Sequence, residues 1–220
     1  MDETSKRTIR EPTPPRWKGV QSLGPVHQFN ERCLELFVDI AASDDSGATL
    51  SLITEHRRLW ADLDIEARQR LARIPFVIAD ADFGDEARWR EMVALTASSA
   101  RVQGRSGGLP KEAGENLVRE LMMFAWQTAR WDRSVALMCF GMAPPVISII
   151  SALTPHQILT VASRESASVK IRWASDLQFW EDLLLAAKSG DENKLAALHL
   201  HGKLSFCGLL NSHPDTRSPT

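Results

Sequence analysis

The stretch "SALTPHQILTVASRESASVKIRW", Ser151 to Trp173, decides the fold. Thr154 is a natural N-cap, Pro155 takes the first helical position, and Gln157 stands where a capping box needs an amide to reach back. Ile158, Val161 and Ala162 then fall on one helical face. The helix gives way to "SVKIRW", whose apolar residues alternate with basic ones and predict a short extended segment.

Leu63 to Trp89, "LDIEARQRLARIPFVIADADFGDEARW", repeats this plan. With an offset of 90 residues, Leu63 falls on Leu153, Leu71 on Val161, Ala72 on Ala162 and Phe83 on Trp173. One inserted residue then brings Trp89 onto Trp180. Each copy reads helix, extended segment, acidic cap, and a helix carrying a tryptophan. The expectation is a mainly α fold of two helical halves, a diverged internal repeat packed as a pseudo-dimer with short extended segments. A chance likeness of helical segments is the competing account, and the topology of the two halves separates the two.

Other patterns divide the chain. Residues 1–20 and 211–220 are polar and Pro-containing and read as flexible tails. Gly104, Gly107, Gly108, Pro110 and Gly114 mark 99–114 as a linker between a helical domain at 21–98 and a second at 115–210. The first domain carries 14 acidic and 8 basic side chains, and the second 9 of each. The second is therefore the better candidate for a polyanion. Helices are expected in "FNERCLELFVDIAA", "SLITEHRRLWADL", "LDIEARQRLARI", "GDEARWREMVAL", "ENLVRELMMFAWQTARW", "DRSVALMCFGM", "PPVISIISAL" and "DLQFWEDLLLAAKSG". A last one, "DENKLAALHLHGKLSFCGLL", is expected to break at Gly202. Asp176 caps the helix before it and Gly190 closes that helix. "PFVIADADF" is the strand candidate of the first half.

Charge and composition bound the function. The 220 residues carry a formal net charge of −2 with 44% hydrophobic and 25% charged side chains, ordinary for a globular protein. Three widely spaced cysteines in apolar surroundings suit a reducing compartment, and no apolar run spans a bilayer, so a cytoplasmic protein without membrane contact is expected. Asp80 and Asp82 share a strand face as an acid pair, but no further carboxylate, lysine or phosphate loop completes a reaction centre. His199 and His201 of "HLHG" lack the partners of a metal site. An enzyme, a metal and a cofactor are not expected. The seven tryptophans, with no tyrosine beside them, read as core and interface anchors. Trp126, Trp131, Trp173 and Trp180 are the interface candidates. Lys188, Lys194, His199, His201 and Lys203 bracket two helices joined by a Gly-containing turn and are the DNA-contact candidates. A plain helical hairpin with solvated lysines explains the same residues.

Ala125 to Trp173 resembles the FlhD family of flagellar transcriptional activators. The family's steps fall on Asp132, Gly141-Met142, Ala152-Leu153-Thr154, Gln157, Ala162 and Ile171-Arg172-Trp173, and "LAALHLHGKLSFCGLLN" is similar to its final helix. The likeness covers the second half only. It implies an all-α, dimer-forming regulator that acts at promoter DNA with an FlhC-like subunit or RNA polymerase. A homo-oligomer is among the assemblies it admits. Family members often carry a cysteine before the extended segment that links two subunits, and "SASVKIRW" has none. A non-DNA interaction or assembly module on the same scaffold is the alternative.

Overall fold

The computed structural model describes residues 23–43, 51–96, 111–164 and 169–211. The expected tails and the linker up to residue 110 lie outside them, apart from Asn211. The last four linker positions, 111–114, are the first turn of a helix instead. The first half runs α1 (Gly24–Ala42), α2 (Ser51–Glu55), α3 (Arg57–Ala61), α4 (Ile65–Ala72), β1 (Ala79–Asp80) and α5 (Glu86–Thr96). The second runs α6 (Lys111–Trp131), α7 (Arg133–Phe140), α8 (Pro144–Ala152), α9 (Pro155–Arg164), β2 (Lys170–Ile171) and α10 (Leu177–Ser189). One further helix, α11 (Glu192–Asn211), ends the described chain. The fold is mainly α, as expected.

The order of elements repeats, and so does the packing. In the first half α1 lies on α3 and α4; in the second, α6 lies on α8 and α9. Across the halves α10 packs on α4 and α3, and reciprocally α5 packs on α9 and α8. The strands β1 and β2 pair antiparallel, Ala79 with Ile171 and Asp80 with Lys170. A shift of 91 residues exchanges these two rungs, as a two-fold axis between them requires. The same shift relates the two non-glycine residues with positive φ, Asp82 (52°) and Trp173 (53°). It also relates the caps: Asp85 accepts from Arg88 N at 3.0 Å, and Asp176 from Phe179 N at 3.0 Å. The halves are a pseudo-dimer in one chain.

The sequence register needs one correction. Phe83 was expected opposite Trp173, but the equivalent residue is Asp82. The inserted residue therefore lies between the helix and the strand. Both positions must take a left-handed turn, whose carbonyl then accepts from the capping Asp: Asp85 N to Asp82 O at 2.9 Å, and Asp176 N to Trp173 O at 2.8 Å. Backbone geometry, not side-chain likeness, sets the match. For Trp this conformation is strained by roughly 1–3 kcal/mol. Its ring is held by edge contacts to Phe76 at 4.9 Å and Phe179 at 5.4 Å.

Three other elements differ from expectation. "SLITEHRRLWADL" is two short helices broken at His56, whose Nε2 lies 3.1 Å from Leu177 O. "PFVIADADF" forms only two residues of strand. The buried Asn30 amide serves two of its other residues, donating to Phe76 O at 2.9 Å while its Oδ1 accepts from Ile78 N at 3.1 Å. Helix α11 runs unbroken through Gly202, where a Cβ would meet Phe76 Cζ at 2.9 Å. The glycine is there for close packing rather than for a break.

The local signals at caps hold. Thr154 N donates to Gln157 Oε1 at 2.9 Å and Gln157 N to Thr154 Oγ1 at 3.3 Å, closing the capping box. Gly190 takes φ 71° after α10.

Both halves contribute to one continuous core. Its aromatic pairs cross the seam: Trp60 with Trp180 at 5.6 Å, Phe76 with Trp173, Phe83 with Phe140 at 5.7 Å, and Phe29 with Phe124 at 5.9 Å. Trp180 is fully buried, and its Nε1 donates to Arg172 O at 3.0 Å. Trp180→Ala should therefore cost about 3–5 kcal/mol in urea unfolding. The same change at Trp131, which is 84% exposed, should stay within about 0.5 kcal/mol.

Candidate functional site

Four places collect charged or exposed apolar groups: the strand seam, the buried thiols, the α10–α11 hairpin, and the corner between α6 and α7. At the seam, Arg172 is nine-tenths buried. It donates to Val77 O at 2.8 Å, Phe140 O at 2.6 Å and Asp80 Oδ1 at 3.1 Å. The Phe206 ring lies 4.7 Å from its guanidinium. Burial pulls Arg172 below its usual pKa, while Asp80 and then Asp82 oppose that pull. Asp82 is bound by Arg88 and by Lys170 Nζ at 2.9 Å. The acid pair read from the sequence is thus fully engaged in joining the halves.

Two cavities flank this seam. One of about 360 Å³ is lined by Asp80 and Lys170–Ser175. Another of about 210 Å³ is lined by Asp80, Asp82, Asp85, Gly141, Arg172 and Phe206. Asp80, common to both, is paired with Arg172, Asp82 with Arg88 and Lys170, and Asp85 caps α5, so every carboxylate of their linings is already engaged. Among the described residues there is no cluster of three metal-ligating side chains.

Cys33 and Cys139 are buried free thiols. Burial pushes Cys139 up to about 11 and Cys33 well above its usual range, so both stay protonated.

The α10–α11 hairpin holds the five DNA-contact candidates. Lys188 Nζ lies 3.1 Å from Asp62 Oδ2, and Lys194 Nζ 2.8 Å from Asp182 Oδ1. The hydrogen bond from Lys194 holds the Asp182 carboxyl below its usual pKa. His199 is half-buried, and its Nε2 has no hydrogen-bond partner. Burial lowers its pKa, with nearby Glu192 opposing and His27 assisting. His27 is itself lowered by burial and by Arg73, and its Nε2 is likewise buried without a partner. His201 is exposed beside Phe179, and Lys203 is half-buried. The five residues share one hairpin, but two of the three lysines are neutralised by carboxylates and His199 is biased to its neutral form.

The tryptophan candidates separate. Trp180 and Trp173 belong to the seam inside the chain. Trp126 is half-buried, donates to Leu153 O at 2.8 Å, and lies under the Arg130 guanidinium at 4.9 Å. Trp131 stands clear at the end of α6. On either side of it are Arg130 and Arg133, neither with a carboxylate partner among the described residues. Arg133 donates to Ser148 Oγ at 3.2 Å. Asp132, between them, accepts from Ser134 N and Val135 N at 3.0 Å and so caps the N-terminus of α7. The arginines were not among the chosen site residues. Their signal was the run "ARWDR", a tryptophan between two arginines with a helix-capping aspartate.

The histidines make a pH prediction. The folded pKa of His199 lies below its ordinary 6.5, so the unfolded chain binds more protons near that pH. The stability His199 contributes is present above 6.5 and is lost as pH falls through the folded pKa. Denaturant midpoints should fall from pH 7.5 toward 5, and His199→Gln should flatten that fall. An identical pH profile in the variant would contradict the assignment. Searched against protein-family models, curated proteins and solved structures, the chain gives no match.

Proposed function

We propose that this chain is a regulatory protein-interaction module, a two-fold scaffold fused into one polypeptide. Its α6–α7 corner binds an acidic segment of a protein partner. The observation that carries this reading is Trp131, 84% exposed on a helix end between two arginines that have no carboxylate partner among the described residues. An exposed tryptophan beside arginine is the composition of an interface hot spot. The surrounding positive charge selects aspartate and glutamate around an apolar anchor.

The resemblance to the FlhD family supports a regulatory assembly, with an FlhC-like subunit or a segment of RNA polymerase as partner classes. Contact with promoter DNA is the less favoured reading, because Lys188 and Lys194 are held by Asp62 and Asp182. The buried thiols suit a reducing, cytoplasmic setting. No helix among the described residues is long and apolar enough to cross a membrane alone. The reading assigns no reaction.

A peptide-display selection against the full chain, with Trp131→Ala as counter-selection, tests this. Enriched peptides should carry Asp or Glu on both sides of an apolar residue. Trp131→Ala should weaken them by about 30-fold or more, equivalent to about 2 kcal/mol. Enrichment of neutral peptides, or Trp131-dependent binding of an oligonucleotide in place of acidic peptides, would overturn it.

A further inference from the structure

We infer that the outer face of α11 is a docking surface for a second copy of this chain, packed antiparallel, α11 on α11. Among the described residues, helix α11 has no counterpart in the first half. Its inner face carries Leu195, Gly202 and Phe206, all buried against the rest of the molecule. Its outer face is also apolar. Leu200 is 59% exposed and Leu204 64% exposed, and Ala196 and Ala197 are exposed beside them. From Leu195 to Asn211 the sequence has one formally charged side chain, Lys203. A surface helix normally sets charge opposite its buried stripe, and a helix apolar all round is covered on both sides.

The pattern of this face selects its occupant. Glu192 and Lys203 are eleven residues apart, three turns and about 20° on an ideal helix, so they flank the same edge of the stripe. In an antiparallel two-fold pair, residues on one edge face the same edge of the other helix. Glu192 then meets the partner's Lys203, and the contact occurs twice. The same register brings Leu200 over the partner's Ala196 and Ala197, a large side chain into the space left by two small ones, and Leu204 toward the partner's Asn193. Antiparallel helix dipoles add to the attraction. A parallel pair loses both charge contacts and opposes Leu200 to Leu200. The surface is self-complementary, as an isologous interface requires. It is also small, so the association is reversible and concentration-dependent rather than obligate.

This contact is separate from the α6–α7 corner, and its test is separate. Sedimentation of the full chain across a wide concentration range should show a monomer–dimer equilibrium. Leu200→Asp should abolish it, and circular dichroism should show the variant folded, because the side chain is exposed. Glu192→Lys and Lys203→Glu should each weaken the dimer at least about fivefold, on the scale of a lost charge pair of about 1 kcal/mol. The double exchange should restore it. A monomer at every concentration would overturn the inference, as would a dimer that survives Leu200→Asp. So would single charge changes whose loss the double exchange does not repair.

Discussion

Arg172 is the point on which the rest of the structure depends. Its backbone N donates to Ile78 O at 2.8 Å, beside the β1–β2 rungs. Its guanidinium bonds one carboxylate and two carbonyls drawn from both halves. A buried guanidinium is tolerable only when its donors are satisfied, and each of these acceptors has few alternatives. The strands are two residues long and would not pair stably alone. They hold because Arg172 pins one edge, Asn30 satisfies the neighbouring backbone, and the aromatic pairs close over the seam. The segment from Phe76 to Phe83 can thus be largely irregular and still be buried.

The fused arrangement changes what a dimer has to do. Two copies joined in one chain meet at high effective concentration, so the seam needs neither a disulfide nor a large affinity of its own. It also frees the copies to diverge. The caps at Asp85 and Asp176, the left-handed turns at Asp82 and Trp173, and the reciprocal packing are retained. The seam contacts are not identical: Trp180 Nε1 has an acceptor in Arg172 O, whereas Trp89 Nε1 is buried without one. The exposed anchors lie in the second half, with Trp131 at the end of α6 and the outer stripe on α11. The asymmetry turns a symmetric scaffold into one with distinct faces.

Electrostatics decides between the two kinds of partner. Two of the three lysines of the α10–α11 hairpin, Lys188 and Lys194, lie close to acids of the same chain. Each exposed ion pair is worth only about 0–1 kcal/mol, yet each removes the local field that a phosphate backbone would feel. The arginines beside Trp131 are positioned by neutral groups, an aromatic ring and a serine hydroxyl, which leave their charge in place. The α6–α7 corner therefore carries two arginines without a carboxylate partner among the described residues, whereas two of the hairpin's three lysines are paired.

Much of the local structure was written in short-range signals. The capping box of Thr154 and Gln157, the cap at Asp176, and the left-handed glycine at 190 all act within four residues, and so they can be read from spacing alone. The helical faces and the buried Trp180 follow from periodicity. The repeat was legible as an order of elements, but its register was not. The equivalence of Asp82 with Trp173 is one of backbone angle between unlike side chains, and only the fold displays it. The His56 ring contacts Leu177, 121 residues away, and the pairing of Lys188 with Asp62 spans 126. No local pattern carries such information. Whether a lysine is free to meet a partner, whether a glycine in α11 ends a helix or lets Phe76 approach, and which tryptophan of six helical candidates stands in water were settled by tertiary packing. For Lys188 and Gly202 the answer lies in what the opposite half of the chain, through Asp62 and Phe76, brings to the same point in space.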